Sequence, residues 1–312
     1  MSLVSKTEIT FMVCHRLLSR GVLFVLVTFF CLCFAKSVWS DEKGVFQLND
    51  GRGHLSANMR VYYFRPKNFT LNSPVLIVLH GNSRTARNYR NYFVEAAIQH
   101  KALVLAPKFT RTNYPGSRHY NLGYLQDRAG NFTPKSLWAF PVIDRVFKKA
   151  KKVFRFKRSR YFLFGHSAGA QFVHRLLIFY PSPLLRVAVA ANAGWYTFLS
   201  HSALFPYGLK NAPVDEENLK QSFKKKLIVF LGRGDNDPEH RGLRNTLEAK
   251  RQGPHRLARG REFFNQAKKM AKIFGPPLQW KHEELADVGH SARYMAGPAA
   301  NLMFRLNLGD LH

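Results

Sequence analysis

From residue 73 onward the sequence alternates short apolar runs with amphipathic stretches, and this alternation is the strongest constraint on the fold. The apolar runs predict strands at Val75–His80, Ala102–Ala106, Tyr161–Gly165, Arg186–Ala191 and Leu227–Leu231, with a further strand near Leu278–Leu285. Helical patterns lie between and after them, at Ala86–His100, Pro134–Lys152, Ala168–Tyr180, Arg259–Phe274 and Ala292–Leu306. This order predicts an α/β fold, with a mostly parallel sheet flanked by helices.

Two other parts of the chain do not follow the alternation. Gly44–Leu48 and Met59–Phe64, separated by a turn-rich segment, predict an antiparallel hairpin at the amino-terminal edge of the sheet. Residues 107–132 and 195–225 predict long loops. Both follow predicted strands, so we expect them to overhang the carboxyl edge of the sheet, where α/β proteins bind ligands. We predict no large cap domain.

Residues 1–40 have the pattern of a signal peptide. Lys6, Arg16 and Arg20 precede an uncharged apolar run over residues 21–35. As a helix this run would extend about 22 Å, short of a bilayer core of about 30 Å. We therefore predict cleavage before Asp41, export to the periplasm or the exterior, and one domain over residues 41–312. The alternative is an uncleaved, membrane-anchored form. All three cysteines lie in the leader, so the exported chain needs no disulfide.

The chain is strongly basic, with a formal net charge of +29. Such a surplus favours binding to polyanions, and we expect an anionic membrane or polysaccharide surface rather than a specific nucleic acid. Several basic groups come just before predicted strands: Lys148, Lys149, Lys151, Lys152 and Lys224–Lys226. Because parallel strands begin at the same edge, these cations are predicted to gather opposite the catalytic edge, where they form a basic surface for docking.

The pentapeptide Gly165-His166-Ser167-Ala168-Gly169 lies between a predicted strand and a predicted helix. A Gly-x-Ser-x-Gly sequence in this position is typical of a nucleophile elbow. The two glycines permit a sharp turn and close approach of the helix to the strand. Ser167 is therefore the candidate nucleophile.

A serine nucleophile needs a base, and the base needs an acid to orient it. In a strand-turn-helix setting these partners follow in the order Ser, Asp or Glu, His. Asp235 and Asp237 follow the predicted strand Leu227–Leu231, and either is a candidate acid. His290, in a loop between a strand and the last helix, is the candidate base.

Residues around the predicted site suggest its remaining parts. The backbone N–H groups of Asn82 and Ala168 are candidate oxyanion-hole donors. Among Arg84, Arg87 and Arg90 at the start of a predicted helix, Arg84 is the first candidate for binding an anionic substrate group. Trp195 and Tyr196 are candidates for a substrate-stacking wall. His80 is interpreted as a core histidine. We find no metal-ligand spacing and no phosphate loop, so no cofactor is predicted.

Between Pro74 and Leu306 these residues resemble the α/β-hydrolase superfamily. The leader, the His80-Gly81-Asn82 turn and the Gly-His-Ser-Ala-Gly sequence are similar to exported bacterial esterases of the polyhydroxybutyrate-depolymerase and feruloyl-esterase type. The resemblance favours Asp235 as the acid, three residues after Gly232. It implies cleavage of carboxylic esters through a Ser-His-Asp triad and an acyl-enzyme. Peptidase, thioesterase or acyltransferase chemistry would use the same groups, and a non-catalytic polyanion-binding protein is the alternative from another class.

Overall fold

The computed structural model describes residues 40–49 and 58–308. Within these residues eight strands form one sheet in the order β1-β2-β4-β3-β5-β6-β7-β8. The strands are β1 Glu42–Leu48, β2 Met59–Arg65, β3 Val75–Leu79, β4 Leu103–Pro107, β5 Tyr161–His166, β6 Leu185–Ala191, β7 Lys226–Gly232 and β8 Trp280–Leu285. All six strands predicted from residue 73 onward are present.

The sheet is mixed in the way the sequence predicted. β1 pairs with β2, and β2 with β4, in antiparallel fashion. Every other neighbouring pair is parallel. Strands β3, β4 and β5 are buried along their whole length, whereas β1 alternates between exposed and half-buried residues, as an edge strand does. The α/β fold with an antiparallel amino-terminal edge is therefore confirmed.

Helices cover both faces of the sheet. They are α1 Ala86–Tyr92, α2 Val94–His100, α3 Gly116–His119, α4 Val142–Phe154, α5 Ala168–Phe179, α6 Glu216–Phe223, α7 Leu247–Arg251, α8 Arg256–Phe274 and α9 Ala292–Leu308. Alternate residues of each central strand belong to different cores. Ile77 packs in the core with α4, α5 and α8, whereas Leu76 and Val78 pack in the core with α1, α2 and α9.

Two predicted helices depart furthest from the structure. The helix predicted over 86–100 is divided at Phe93, which leaves helical backbone geometry. The helix predicted over 134–152 begins only at Val142, after a 3₁₀ turn at Lys135–Leu137. Pro141 accounts for the late start, because a proline disfavours helical backbone at the residue before it and suits the first turn of a new helix.

The predicted leader, residues 1–40, lies outside the described residues apart from Ser40. Its cleavage and its role in export therefore stay predictions. In the described part of the chain, no helix combines the length and the apolar character needed to cross a bilayer.

Candidate active site

Ser167 lies at a sharp turn between β5 and α5. Its backbone has φ 57° and ψ −115°, a left-handed conformation that is unfavourable for any residue except glycine. The Ser167 N–H donates to the carbonyl of Ala191 at the end of β6, 3.0 Å away. Neighbouring structure thus holds a strained residue in place, as is usual at functional sites.

The two glycines of the pentapeptide allow three backbone segments to meet. A Cβ atom on Gly165 would lie 2.3 Å from the carbonyl oxygen of Gly169. A Cβ atom on Gly169 would lie 2.4 Å from the carbonyl oxygen of Leu79 in β3. No side chain fits at either position, so both glycines are required for α5 to begin this close to β3 and β5.

Three side chains from three different loops form a hydrogen-bonded chain. Ser167 Oγ is 3.0 Å from Nε2 of His290, in the loop between β8 and α9. Nδ1 of His290 is 2.7 Å from Oδ2 of Asp235, in the turn after β7. The His290 side chain is 18% exposed and that of Asp235 only 3%, so the base is open to substrate while the acid is closed off from water. This order of groups is able to move a proton from the hydroxyl to the imidazole.

The two candidate acids have different environments in the structure. Asp237 is exposed, and its Oδ1 accepts a hydrogen bond from the N–H of Glu239, 2.8 Å away. This is a local turn contact at the protein surface. Asp235, in contrast, is buried and bonded to His290. The geometry therefore favours Asp235 over Asp237.

Arg256 is a member of this cluster that the sequence did not reveal. Its Nη1 donates to Oδ1 of Asp235 over 3.0 Å, and both side chains are 3% exposed. Burial raises the pKa of Asp235, but hydrogen bonds and charge interactions with His290 and Arg256 outweigh burial, so the pKa lies below its ordinary value. Arg256 therefore helps to keep the buried acid ionised.

Arg256 was missed because helix α8 was predicted to begin at residue 259. Gly253-Pro254, just before the first helical residues, was the available signal for an earlier helix start.

Asn192 is a second residue that the sequence did not reveal, and it connects the acid loop with the base loop. Its side-chain amide donates to the carbonyl of Gly289, 3.0 Å away, beside His290. Its Oδ1 accepts from the N–H of Gly232, 2.8 Å away, three residues before Asp235. One side chain, only 1% exposed, thus fixes both loops to the end of β6.

The predicted oxyanion-hole donors lie in suitable segments. Ala168 is the first residue of α5, where backbone N–H groups have no acceptor within the helix. Asn82 is exposed in the turn after β3. The neighbouring Gly81 faces the nucleophile, because a Cβ atom built on it would lie 3.6 Å from Ser167 Cβ. Both donors stay predictions, since a hydrogen bond to an oxyanion forms only with substrate present.

Two further histidines near the site are buried. Burial lowers the pKa of His80 to about 3, so its ring is neutral at physiological pH. His80 Nε2 accepts from the N–H of Phe109, 3.1 Å away, and Tyr120 donates to the His80 carbonyl. Burial likewise lowers the pKa of His166, whose Nδ1 is 3.1 Å from the hydroxyl of Tyr89. These contacts support the interpretation of His80 as a core residue.

Arg84, the predicted contact for a substrate anion, is held by hydrogen bonds within the protein. Its guanidinium donates to the carbonyls of Phe109 at 2.8 Å, Tyr114 at 3.3 Å and Gly116 at 2.9 Å. The residue is only 5% exposed. Arg84 instead fixes the loop after β4 onto the sheet, a contact between distant segments that the sequence pattern does not encode.

Trp195 and Tyr196 also differ from the prediction of a substrate-stacking wall. Tyr196 is fully buried and stacks on Phe263 of α8, with ring centroids 4.6 Å apart. Trp195 is 5% exposed and is covered by the guanidinium of Arg175, 4.4 Å from the ring centroid. Both aromatics pack the loop after β6 onto the helices, so neither presents a face to substrate.

The chemistry available here is acid–base and nucleophilic. Within residues 40–49 and 58–308, no group of three or more His, Cys, Asp or Glu side chains is arranged to hold a metal ion. A hydroxyl, an imidazole and a carboxylate in this order fit covalent catalysis of acyl transfer.

Solved structures resemble this chain closely. Poly(aspartic acid) hydrolase-1 from Sphingomonas sp. KT-1 is 36% identical, with a TM-score of 0.81 over 85% of this chain and 100% of its own. A poly(3-hydroxybutyrate) depolymerase from Bordetella parapertussis is 31% identical, with a TM-score of 0.78 over 85% of this chain and 90% of its own.

A more distant likeness supports the fold alone. An S-formylglutathione hydrolase from Agrobacterium tumefaciens is 15% identical, with a TM-score of 0.54 over 89% of this chain and 98% of its own. No protein-family profile matches the chain, and no curated protein sequence matches it.

Proposed function

The chain belongs to the α/β-hydrolase family, and on that premise we propose that it is an exported serine hydrolase that cleaves carboxylic esters through an acyl-enzyme. The observation that carries this proposal is the hydrogen-bonded chain from Ser167 through His290 to Asp235, with distances of 3.0 Å and 2.7 Å. No other described serine is bonded to an imidazole that is itself bonded to a buried carboxylate.

In the proposed reaction, Ser167 Oγ attacks the ester carbonyl while His290 Nε2 takes its proton. Asp235 stabilises the imidazolium and fixes the ring orientation. The N–H groups of Asn82 and Ala168 donate to the oxyanion. The imidazolium then protonates the departing alcohol. Water, activated by the same imidazole, releases the acid and restores the Ser167 hydroxyl.

Replacing the nucleophile tests this proposal directly. We expect Ser167→Ala to lower turnover of a p-nitrophenyl ester by at least about 10³-fold, because the acyl-enzyme can no longer form. A fluorophosphonate probe should label the parent protein on Ser167 and leave the variant unlabelled. Circular dichroism checks that the variant is folded. A folded variant with parental turnover would contradict the proposal, and a parent that resists the probe would favour a non-catalytic binding protein.

Cleavage of amide bonds in an anionic polymer is the second candidate function. It is favoured by the 36% identity to poly(aspartic acid) hydrolase-1 and by the net charge of +29. Size-exclusion chromatography of poly(aspartic acid) after incubation with the parent and with Ser167→Ala separates the candidates. Shortening by the parent alone would add amide hydrolysis to the proposed activity. An intact polymer beside active ester turnover would restrict the enzyme to esters.

Export is proposed from the leader alone. We expect the mature protein to begin at or near Asp41 and to leave the cytoplasm. Amino-terminal sequencing of the protein recovered from a bacterial host, together with fractionation, measures both. Retention of residues 1–40 in a membrane fraction would favour the anchored form.

A further inference from the structure

A basic groove begins beside the turn that carries Asn82. It has a volume of about 620 Å³ and is lined by four cations and several hydroxyl groups. The cations are the buried Arg84 together with Arg87, Lys108 and Arg111. The hydroxyl groups include those of Ser83, Thr85 and Thr110. No acidic side chain among the described residues lines this groove. Cations together with hydroxyl donors, without an acid, form a surface that suits a carboxylate-bearing ligand.

The charges in the groove are not neutralised by the protein. Arg87 and Arg111 are exposed and Lys108 is half-buried, and none of the three forms an ion pair with an acid in residues 40–49 and 58–308. The positive charge of Arg111 also affects the neighbouring Arg84. Burial lowers the pKa of Arg84, and the charge of Arg111 lowers it further. An anion bound between these side chains would relieve this repulsion.

The groove is connected to the proposed catalytic centre by the turn after β3. Nη2 of Arg111 donates to the carbonyl of Asn82, 2.9 Å away. Ser83, the next residue, lines the groove, while Gly81, the residue before Asn82, faces Ser167. The turn Gly81–Ser83 therefore has the nucleophile on one side and the groove on the other.

Arg84 holds the groove in shape. Its bonds to the carbonyls of Phe109 and Gly116 fix the loop that carries Lys108 and Arg111. The exposed Arg111 and the half-buried Lys108 are therefore placed by a buried arginine. A preorganised arrangement of this kind lowers the entropy cost of binding.

We propose that this groove binds the carboxylate groups of an anionic substrate chain whose scissile bond lies at Ser167. The inference rests on the proposed hydrolase function and adds the substrate class. A cavity of this volume accommodates a short segment of a polymer. A single half-buried aromatic, Tyr62, lines the groove, whereas single-stranded nucleic acids bind to series of stacking aromatics. Poly(aspartic acid), the substrate after which the 36% identical hydrolase is named, has the proposed chemistry.

Inhibition by poly(aspartic acid) tests the groove. The polymer should inhibit turnover of a neutral p-nitrophenyl ester by the parent protein. In the double variant Arg87→Gln/Lys108→Gln we expect its inhibition constant to rise about tenfold, since two charge-assisted contacts are lost. The double variant Arg87→Lys/Lys108→Arg, which keeps both charges, should largely retain the inhibition.

A matched control removes the same charge elsewhere. Lys149→Gln/Lys152→Gln, on exposed positions of α4, should leave the inhibition constant within about twofold of the parent value. Equal weakening in the groove variant and this control would overturn the proposal. So would an absence of inhibition in the parent, or stronger inhibition by a single-stranded oligonucleotide than by poly(aspartic acid).

A binding measurement separates this proposal from the proposed function. Fluorescence anisotropy of labelled oligo(aspartic acid) with Ser167→Ala requires no turnover. Binding that weakens about tenfold on adding Arg87→Gln/Lys108→Gln would support the groove even if every ester tested were resistant. Binding unaffected by these changes would overturn the groove while leaving the hydrolase function intact.

Discussion

The two edges of the sheet carry positive charge in different ways. At the edge where the parallel strands begin, here called the amino edge, Lys149 and Lys152 lie on the exposed face of α4, and Lys225 comes just before β7. Burial lowers the pKa of Lys225, and the charge of Arg160 adds to this effect. At the carboxyl edge, Arg84 and Arg256 are buried in contacts with carbonyl and carboxylate oxygens, and Arg87 and Arg111 line a groove.

This difference indicates separate uses for the charge. Cations on a convex, exposed surface attract any polyanion and lose most of that attraction in salt. Cations arranged around a groove next to a nucleophile select a ligand by shape as well as by charge. The lysine clusters alone predict that the positive charge lies away from the catalytic residues. The groove at Arg87, Lys108 and Arg111 shows that part of the charge lies beside the proposed site.

The largest effect is expected from a comparison of the two candidate acids, which both lie at the carboxyl edge of the sheet. Asp235→Asn should lower kcat by about 10³- to 10⁴-fold, because the amide no longer stabilises the imidazolium. Asp237→Asn should stay within about twofold of the parent, since Asp237 is exposed and bonded only within its own turn. Steady-state kinetics with one p-nitrophenyl ester measures both. The reverse ranking would assign the acid to Asp237.

A smaller effect, on the free energy of unfolding, is expected when Asp235 loses its ion pair with Arg256. Arg256→Gln should destabilise the fold by about 3 kcal/mol at neutral pH, because it leaves a buried carboxylate with the ring of His290 as its remaining side-chain hydrogen-bond partner. Since the folded-state pKa of Asp235 is below its ordinary value of 3.8, the stability it contributes is present above that pH and is lost as the pH falls further. Thermal unfolding of parent and variant between neutral and acidic pH should therefore show a difference that shrinks below about pH 4.

A comparison with Arg244 provides the control. Arg244 is exposed and its guanidinium lies 5.4 Å from the ring centroid of Trp195, outside the acid–base cluster. Arg244→Gln removes the same charge and should give a small difference that is independent of pH in this range. A pH-independent loss in Arg256→Gln as well would mean that Arg256 stabilises the loop by packing and not through Asp235.

The smallest effect on turnover is expected at the amino edge. Reversing the charges of Lys149, Lys152 and Lys225 to glutamate should weaken binding to vesicles that contain phosphatidylglycerol, and ester turnover should change by less than about twofold. Vesicle cosedimentation and steady-state kinetics measure the two quantities. Unchanged vesicle binding would contradict the proposed docking surface. A large loss of turnover would contradict the inference that these cations act independently of the proposed active site.

The sequence predicted those features that depend on local pattern. Strands with continuous apolar runs, such as β3 and β5, are recognisable because both faces are buried. Ser167 and His290 were identified from glycines and turns at the carboxyl ends of strands, where the topology alone brings loops together. The structure places these two side chains within hydrogen-bonding distance.

Features that depend on how loops pack were not predictable in this way. Arg84, Trp195 and Tyr196 occupy loops or helix starts near the site, yet each is turned into the protein by a partner distant in the sequence. Arg256 contacts Asp235 from the first residue of α8, and this helix begins three residues earlier than the sequence predicted. A single sequence does not show which polar side chain meets which, because these contacts join segments 20 or more positions apart.

Asn192 has a consequence for how such an enzyme acquires new substrates. Because one amide ties the acid loop and the base loop to the end of a buried strand, the spacing of Asp235 and His290 is held by a residue outside the overhanging segments 108–134 and 193–215. We therefore expect insertions and substitutions in those segments to change substrate recognition more than the proton-transfer geometry. Such an arrangement allows specificity to diversify in the loops while the acid and the base keep their positions.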